Sequence, residues 1–328
     1  MNTDQFLRFY CSPCSSFRSA TGGVTNTYVD RGFLVSYGKI KLKRNSIVLY
    51  ARTRINEILI QFLLHFVFIV LALVMIFPFL WMVAASLKPL SELLTWPPRI
   101  LPQKWLLENY VIAFKSAQFG RAMMNSIIYS GGVTILCLIV SLLAAFGFAK
   151  YRFLGRDVLF VLVLITIMFP IELTLVPLYI ILKDLHWLNT FHGLIVPRVA
   201  QGFGIFLLRQ HFTTVPESYL DAVRIDGSSE LGIIWRVMIP LSKPTLIIVA
   251  LFTFLWRWNE VLWPLVAAQT PSMHTIQVAL GSFVGDPVYI PWHYLLAGIT
   301  LASAPTIVLF FCLQKYIIKG IVLSGLKG

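Results

Sequence analysis

Charge is scarce in this chain. Asp, Glu, Lys and Arg make up 12% of its 328 residues, about half the fraction usual in a soluble globular domain. Acids are scarcer still, 14 against 27 basic residues. Of the four cysteines, Cys137 and Cys312 sit inside apolar runs, and Cys11-Ser12-Pro13-Cys14 is an isolated pair. Without a second pair or adjacent histidines, neither a disulfide framework nor a zinc site is expected. No G-x-x-x-x-G-K-[ST] run occurs, so the chain carries no phosphate-cradling loop of its own. No metal cluster or nucleophile–base set is legible, and no cofactor is expected. His65, His186, His192, His211, His274 and His293 are scattered at the ends of apolar runs and in loops, and read as interfacial.

What fills the space is apolarity. The chain is 58% hydrophobic, with a mean hydropathy of +0.79, and its apolar residues fall in long runs. Crossing the hydrocarbon takes about 20 apolar residues as helix. Six segments qualify, approximately Leu59–Ala85, Met124–Ala149, Val158–Leu182, Gly193–His211, Pro244–Ala268 and Leu295–Ile318. An all-α membrane protein with six transmembrane helices follows. Pro170 and Pro177 predict a kink or break in the third span. The fourth is short and interrupted by Arg198, Gln201, Gly202 and Gly204. No internal repeat is legible, so inverted-repeat carrier architecture has no support.

The net charge of +13 raises the question of nucleic acid. Its distribution answers it, because the basic residues lie in an N-terminal tail and in short loops, where they report orientation. No RNA-binding aromatic motif accompanies them, and no nucleic-acid partner is expected. Nine Lys and Arg lie between Arg8 and Arg54, with Lys150, Arg152 and Arg156 after the second span, and Lys315, Lys319 and Lys327 at the end. The bias places both termini in the cytoplasm and, by alternation, residues 212–243 as well. Trp81, Trp96, Trp105, Trp187, Trp263 and Trp292 fall near outer span ends or in outer loops, where anchoring at the membrane interface explains most of them.

Residues 1–58 are polar and basic, lack the apolar stretch of a signal peptide, and contain no methionine after Met1. Two readings stand. The segment is a poorly ordered cytoplasmic tail, or part of it is a misassigned start.

Polar groups at membrane depth are costly and usually face the bundle interior. Asn125, Glu172, Thr174, Arg257, Asn259 and Glu260 are therefore the candidates for a solute pathway. Arg257 and Glu260 also have the spacing of an ion pair on one helix face, the plainer role. Glu172 follows the break expected at Pro170, where freed backbone can line a cavity.

Residues 215–244 interrupt the apolar pattern. Thr213 or Thr214 can cap a helix opening with Pro216 and Glu217. That helix stops at Asp226-Gly227, where glycine supplies the positive φ of a sharp reversal. Ser228 or Ser229 then caps a second helix through Met238, with Leu231, Ile234, Trp235 and Met238 on one apolar face. Taken alone, the pattern fits a connector lying on the membrane surface as well as it fits a docking element.

The run Pro216-Glu217-Ser218-Tyr219-Leu220-Asp221-Ala222-Val223-Arg224-Ile225-Asp226-Gly227-Ser228, followed by Ile239-Pro240-Leu241 and Lys243-Pro244, resembles the EAA loop of ABC importer permeases. The glutamate-alanine-alanine triplet stands here as Asp221-Ala222-Val223, which keeps the acid and the small central residue. Asn125-Ser126, Phe153-Leu154-Gly155-Arg156, Val176-Pro177-Leu178-Tyr179, Trp258-Asn259-Glu260 through Leu265, and Gly325-Leu326-Lys327-Gly328 resemble the carbohydrate-uptake branch, that of the maltose and glycerol-3-phosphate permeases. The likeness covers roughly residues 59–328, with a transmembrane type-1 core at about 120–316.

The resemblance implies a type I importer permease (MetI-like) fold in a bacterial or archaeal cell membrane. It implies uptake of a sugar or sugar-like solute without enzymatic activity in this chain. A second permease, two ATP-binding ATPase subunits that hydrolyse ATP, and an extracytoplasmic solute-binding protein would be its partners. The EAA loop would form the coupling helix, with Glu217, Asp221, Ala222, Arg224, Asp226 and Gly227 meeting the ATPase, and Gly325–Gly328 reaching toward the same pair. Two rivals remain. A membrane-embedded enzyme would need a catalytic constellation, and an ion-coupled secondary carrier would need acids in several spans, where only Glu172 and Glu260 lie deep.

The two readings of the tail separate by mass spectrometry of the purified protein. A peptide covering residues 1–20 establishes translation from Met1, whereas a consistently later N-terminus establishes the misassigned start.

Overall fold

The computed structural model describes residues 32–284 and 290–325, with side chains described for 59–116, 118–284 and 290–315. Residues 1–31 of the expected tail and the terminal Leu326-Lys327-Gly328 lie outside the described residues. The elements are α1 (Gly32–Ser86), α2 (Leu90–Leu93), α3 (Glu108–Lys115), α4 (Phe119–Lys150), α5 (Arg156–Met168), α6 (Leu175–Asp184), α7 (Phe191–Ile195) and α8 (Gly202–Thr213). They continue with α9 (Glu217–Ile225), α10 (Glu230–Ile233), α11 (Ile239–Leu241), α12 (Lys243–Trp258), α13 (Leu262–Ala267), α14 (Ile276–Gly281) and α15 (Trp292–Gly325).

The chain divides into two compact units, residues 1–74 and 75–328. In the first, α1 begins at Gly32, inside the segment read from the sequence as a tail. Its apolar side chains from Leu59 to Val74 are exposed, as suits a helix whose solvent is lipid.

In the second unit α4 is the spine. It contributes Phe119 and Ala122 to one buried cluster with Trp258, Leu280 and Leu295. Tyr129 and Val133 join Leu182, Leu194 and Trp263 in another. Leu142, Ala145 and Phe146 join Leu208, Phe212 and Val249 in a third. Small residues let its neighbours come close, the usual device where lipid removes the hydrophobic incentive to pack. At Gly204 of α8, an added Cβ would stand 2.5 Å from Ser141 Oγ and 3.2 Å from Val249.

Six uninterrupted spans are not observed among the described residues. Three helices are long and apolar enough to cross a membrane: Leu59–Ser86, Phe119–Lys150 and Trp292–Lys315. Two bent pairs, Phe191–Arg198 with Gly202–Thr213 at 43° and Glu230–Leu241 with Lys243–Trp258 at 86°, raise the number to five if each is one span. The third expected span breaks at Pro170, which begins a 3₁₀ turn over Ile171–Leu173. That leaves α5 at 13 residues, about 20 Å and too short to cross alone. The fifth stops at Trp258 and resumes at Leu262. Trp263 corrects the anchoring expectation for that residue. It is buried, and its indole donates to the Leu194 carbonyl at 3.0 Å.

Gly204→Val should overpack the α4–α8 contact, costing about 1–3 kcal/mol. Gly147→Ala, whose Cβ meets nothing within 4 Å, should be neutral. Thermal unfolding of the purified protein measures the contrast, and equal midpoints for the two variants would refute this packing.

Candidate functional site

Two assemblies carry the candidate residues. One is the helix–turn–helix projection from α9 to α11. Lys150, at the end of α4 and with its side chain only 3% exposed, donates to the Val215 carbonyl at 2.7 Å and to Glu217 Oε1 at 3.1 Å. Pro216 then sets an extended entry into α9. Thr213 and Thr214 do not cap that helix. Their hydroxyls donate back to Gln210 and His211 carbonyls at the end of α8, leaving entry to proline geometry.

The reversal after α9 is a Schellman turn. Gly227 has φ +81°, its N–H donates to the Arg224 carbonyl at 2.9 Å, and the Ser228 N–H donates to Val223 at 3.2 Å. Ser229 caps α10 by accepting from the Gly232 N–H. Arg224 bridges the two helices, donating to Asp221 Oδ1 at 3.0 Å and to Glu230 Oε1 at 3.0 Å. The Arg224 bond to Glu230, and one with the Tyr151 hydroxyl, hold the Glu230 carboxyl below its ordinary range.

Both acids around Arg224 are half exposed, so such pairs are worth about 0–1 kcal/mol. Burial does more. Leu220, Ile233 and Met238 are fully buried in the cluster with Leu208, Phe212 and Val249, at roughly 1.5–3 kcal/mol apiece.

The expected apolar face of the second helix is corrected. Ile234–Met238 is a π-helical turn, whose i→i+5 spacing shifts the register. Ile233, Ile234 and Met238 enter the core, while Leu231 and Trp235 are exposed. Of the six docking candidates, Ala222, Asp226 and Gly227 stand exposed without an ion pair, while Glu217, Asp221 and Arg224 are held in internal pairs.

The other assembly lies where the fourth and fifth expected spans break. Glu260, just beyond α12, accepts from Arg257 Nη1 at 2.5 Å, Arg198 Nη2 at 2.7 Å and the Tyr129 hydroxyl at 2.5 Å. The side chains are 9% exposed at Arg257, 10% at Glu260 and 18% at Arg198. Low dielectric strengthens such attraction but also makes each desolvated charge expensive. One carboxylate thereby fastens α4, the 3₁₀ turn Val196–Arg198 and α12 together.

Arg198 and Arg257 also line a cavity of about 870 Å³ with Thr166, Thr174, Gln201, Phe203 and Trp256. Trp256 and Phe203 meet edge to face at 5.0 Å between centroids.

Among the pathway candidates, Arg257 and Thr174 line this cavity, and Glu260 pairs with Arg257 outside its lining. Glu172 is exposed and absent from this lining. Asn125 instead tethers a loop, donating to Ser272 and His274 carbonyls at 2.9 and 3.0 Å. Asn259 borders a separate cavity of about 490 Å³ with Gln277, Ser303 and Thr306. Arg198 and Gln201 stand in the sequence only as interruptions of the fourth span, not as pathway candidates, and Tyr129 carries no signal there.

Broken helices around a polar cavity, together with an exposed helical projection, define a membrane permease. Residues 137–322 match the family described as binding-protein-dependent transport system inner membrane component, and the chain belongs to that family. It is 34% identical over 264 residues to the arabinooligosaccharides transport system permease protein AraQ of Bacillus subtilis (strain 168), covering 80% of this chain and 94% of that protein. It is 30% identical over 268 residues to the sn-glycerol-3-phosphate transport system permease protein UgpE of Yersinia pestis, covering 79% and 94%. A chain from the crystal structure of a bacterial ABC transporter involved in the import of the acidic polysaccharide alginate shares the fold. The TM-score is 0.68 at 22% identity, covering 89% of this chain and 100% of that one.

Glu260→Ala would strand two buried guanidinium groups. Removing one partner from a buried pair costs about 3–5 kcal/mol, whereas Tyr129→Phe, losing one bond to a charged group, should cost about 1.5–3 kcal/mol. Thermal unfolding ranks the two variants, and an unchanged midpoint in Glu260→Ala would contradict a fastening role.

Proposed function

We propose that this chain is one of two permease subunits of an ABC importer that takes up a sugar or sugar-like solute. The observation that carries the reading is the α9–α10 projection, exposed at its tip and rooted in the same apolar core as α4, α8 and α12. A push on such a tip is delivered to the spanning helices instead of being absorbed by a loose loop. The relatives named for arabinooligosaccharide and glycerol-3-phosphate transport support the solute class.

In this reading both termini and the projection face the cytoplasm, in a bacterial or archaeal cell membrane. Two ATPase subunits bind beneath the paired permeases, and an extracytoplasmic binding protein delivers the solute. Glu217, Asp221, Ala222, Arg224, Asp226 and Gly227 form the coupling surface. Ala222, Asp226 and Gly227 meet the ATPase directly, while Arg224 keeps the turn in shape. ATP is bound and hydrolysed by the partners, since this sequence has no phosphate-cradling loop. The solute passes the cavity at Thr174 and Arg257, with Glu260 holding Arg257 in place. An ion-coupled carrier gains no support, because Glu260 is clamped by two arginines and is poorly placed to cycle a proton.

Gly227→Pro, which cannot adopt φ +81°, and Asp221→Lys, which places a cation beside Arg224, should each abolish uptake while leaving membrane insertion intact. Uptake by the complete transporter in whole cells, with immunoblots of the membrane fraction, checks this. Wild-type uptake and ATPase activity in both variants would exclude docking at this turn.

A further inference from the structure

The charges at the 870 Å³ cavity do not cancel. Two guanidinium groups, Arg198 and Arg257, line its wall, and both share a single carboxylate, Glu260. No aspartate or glutamate is among the residues described as lining the cavity. Arg257 donates to Glu260 through Nη1 and Arg198 through Nη2. The Nε of each is buried without a hydrogen-bond partner. A guanidinium offers five donors in a planar fork, and an unpaired buried donor carries its full desolvation cost. The second arginine leaves a positive charge beside a space large enough for a small solute.

The rest of the wall is mostly apolar, with Trp256 and Phe203 supplying ring surface. Thr166, Thr174 and Gln201 add neutral polar atoms, each donating to a backbone carbonyl of its own segment. Cavities of this kind take an apolar body and fix its orientation with a few polar groups. Here the strongest such groups are cationic.

Building on the carbohydrate-importer reading, we propose that this cavity receives a solute carrying an anionic oxygen group, a carboxylate or a phosphate, against Arg257 and Arg198. A uronic-acid sugar or a sugar phosphate has that chemistry. The anion compensates the surplus charge, while the ring lies against Trp256. A neutral sugar leaves that surplus charge uncompensated.

The test is uptake by the complete transporter, with both permeases, the ATPases and the binding protein, in proteoliposomes of phosphatidylcholine. Matched probes differ only in charge: galactobiose with digalacturonate, glucose with glucose 6-phosphate, and glycerol with glycerol 3-phosphate. The expected result is uptake of an anionic member in preference to its neutral counterpart. Arg257→Gln should reduce that uptake about tenfold to a hundredfold, as fits the loss of a charged hydrogen bond, and Arg257→Lys should retain more of it. Thr174→Asp, an exposed position on the cavity wall, adds an opposing charge without disturbing the cluster and should also depress anionic uptake.

Equal uptake of neutral and anionic members, or anionic uptake unchanged in Arg257→Gln and Thr174→Asp, overturns the inference while leaving carbohydrate import standing. Failure to take up any probe, charged or neutral, counts instead against the carbohydrate reading on which it rests. Phosphatidylglycerol retained by the purified wild type and lost in Arg257→Gln, with neutral-sugar uptake intact, assigns the cavity to a lipid headgroup and overturns the inference.

Discussion

The structure depends on one shared apolar core. Leu220 of α9 and Ile233 of α10 lie in the same cluster as Leu142, Ala145 and Phe146 of α4, Phe212 of α8 and Val249 of α12. Short helices of nine and four residues have little stability by themselves, since isolated helices below about 12–15 residues are marginal in water. They persist because the long helices supply their core. The dependence is mutual, for Lys150 ends the spine by holding the Val215 carbonyl that starts the projection. The projection and the ends of α4, α8 and α12 therefore share one close-packed cluster.

At the other assembly the constraint is electrostatic. Breaks at Pro170, between Arg198 and Gly202, and after Trp258 release backbone groups that a bilayer does not satisfy. The protein meets this with side chains from neighbouring segments. Trp263 takes the Leu194 carbonyl and Asn189 Oδ1 accepts from the Gln269 and Thr270 amides, while Glu260 joins three elements through their side chains. Broken helices held by polar groups make a cavity where continuous ones would make a sealed bundle. The projection and the cavity are thus attached to the same α4 and α12.

Much of this was legible in the residues. Apolar runs located α1, α4 and α15, Pro170 located a break, and Asp226-Gly227 located the end of α9 where the Schellman turn lies. Arg257 and Glu260 were visible as charges out of place, and their pairing followed from spacing. Other features depend on contacts between distant segments, which periodicity does not encode. Tyr129 looks like any apolar-run tyrosine until Glu260 is folded against it from far along the chain. Arg198 read as a flaw in a short span because its partner lies in another segment. The π turn at Ile234–Met238 defeated the helical-period reading, since tertiary packing chose Ile233 over Leu231. Asn125 carried the same polar signal as Arg257, yet it serves a loop.

Ile225, 86% exposed at the tip of the projection, gives the most direct measurement. A cysteine there should crosslink to the ATPase subunit in inside-out vesicles, with a yield that changes when ATP is bound, and should resist membrane-impermeant thiol reagents applied to intact cells. Labelling from outside the cell, or no crosslink to any ATPase in an actively transporting preparation, would contradict energy transfer through this element.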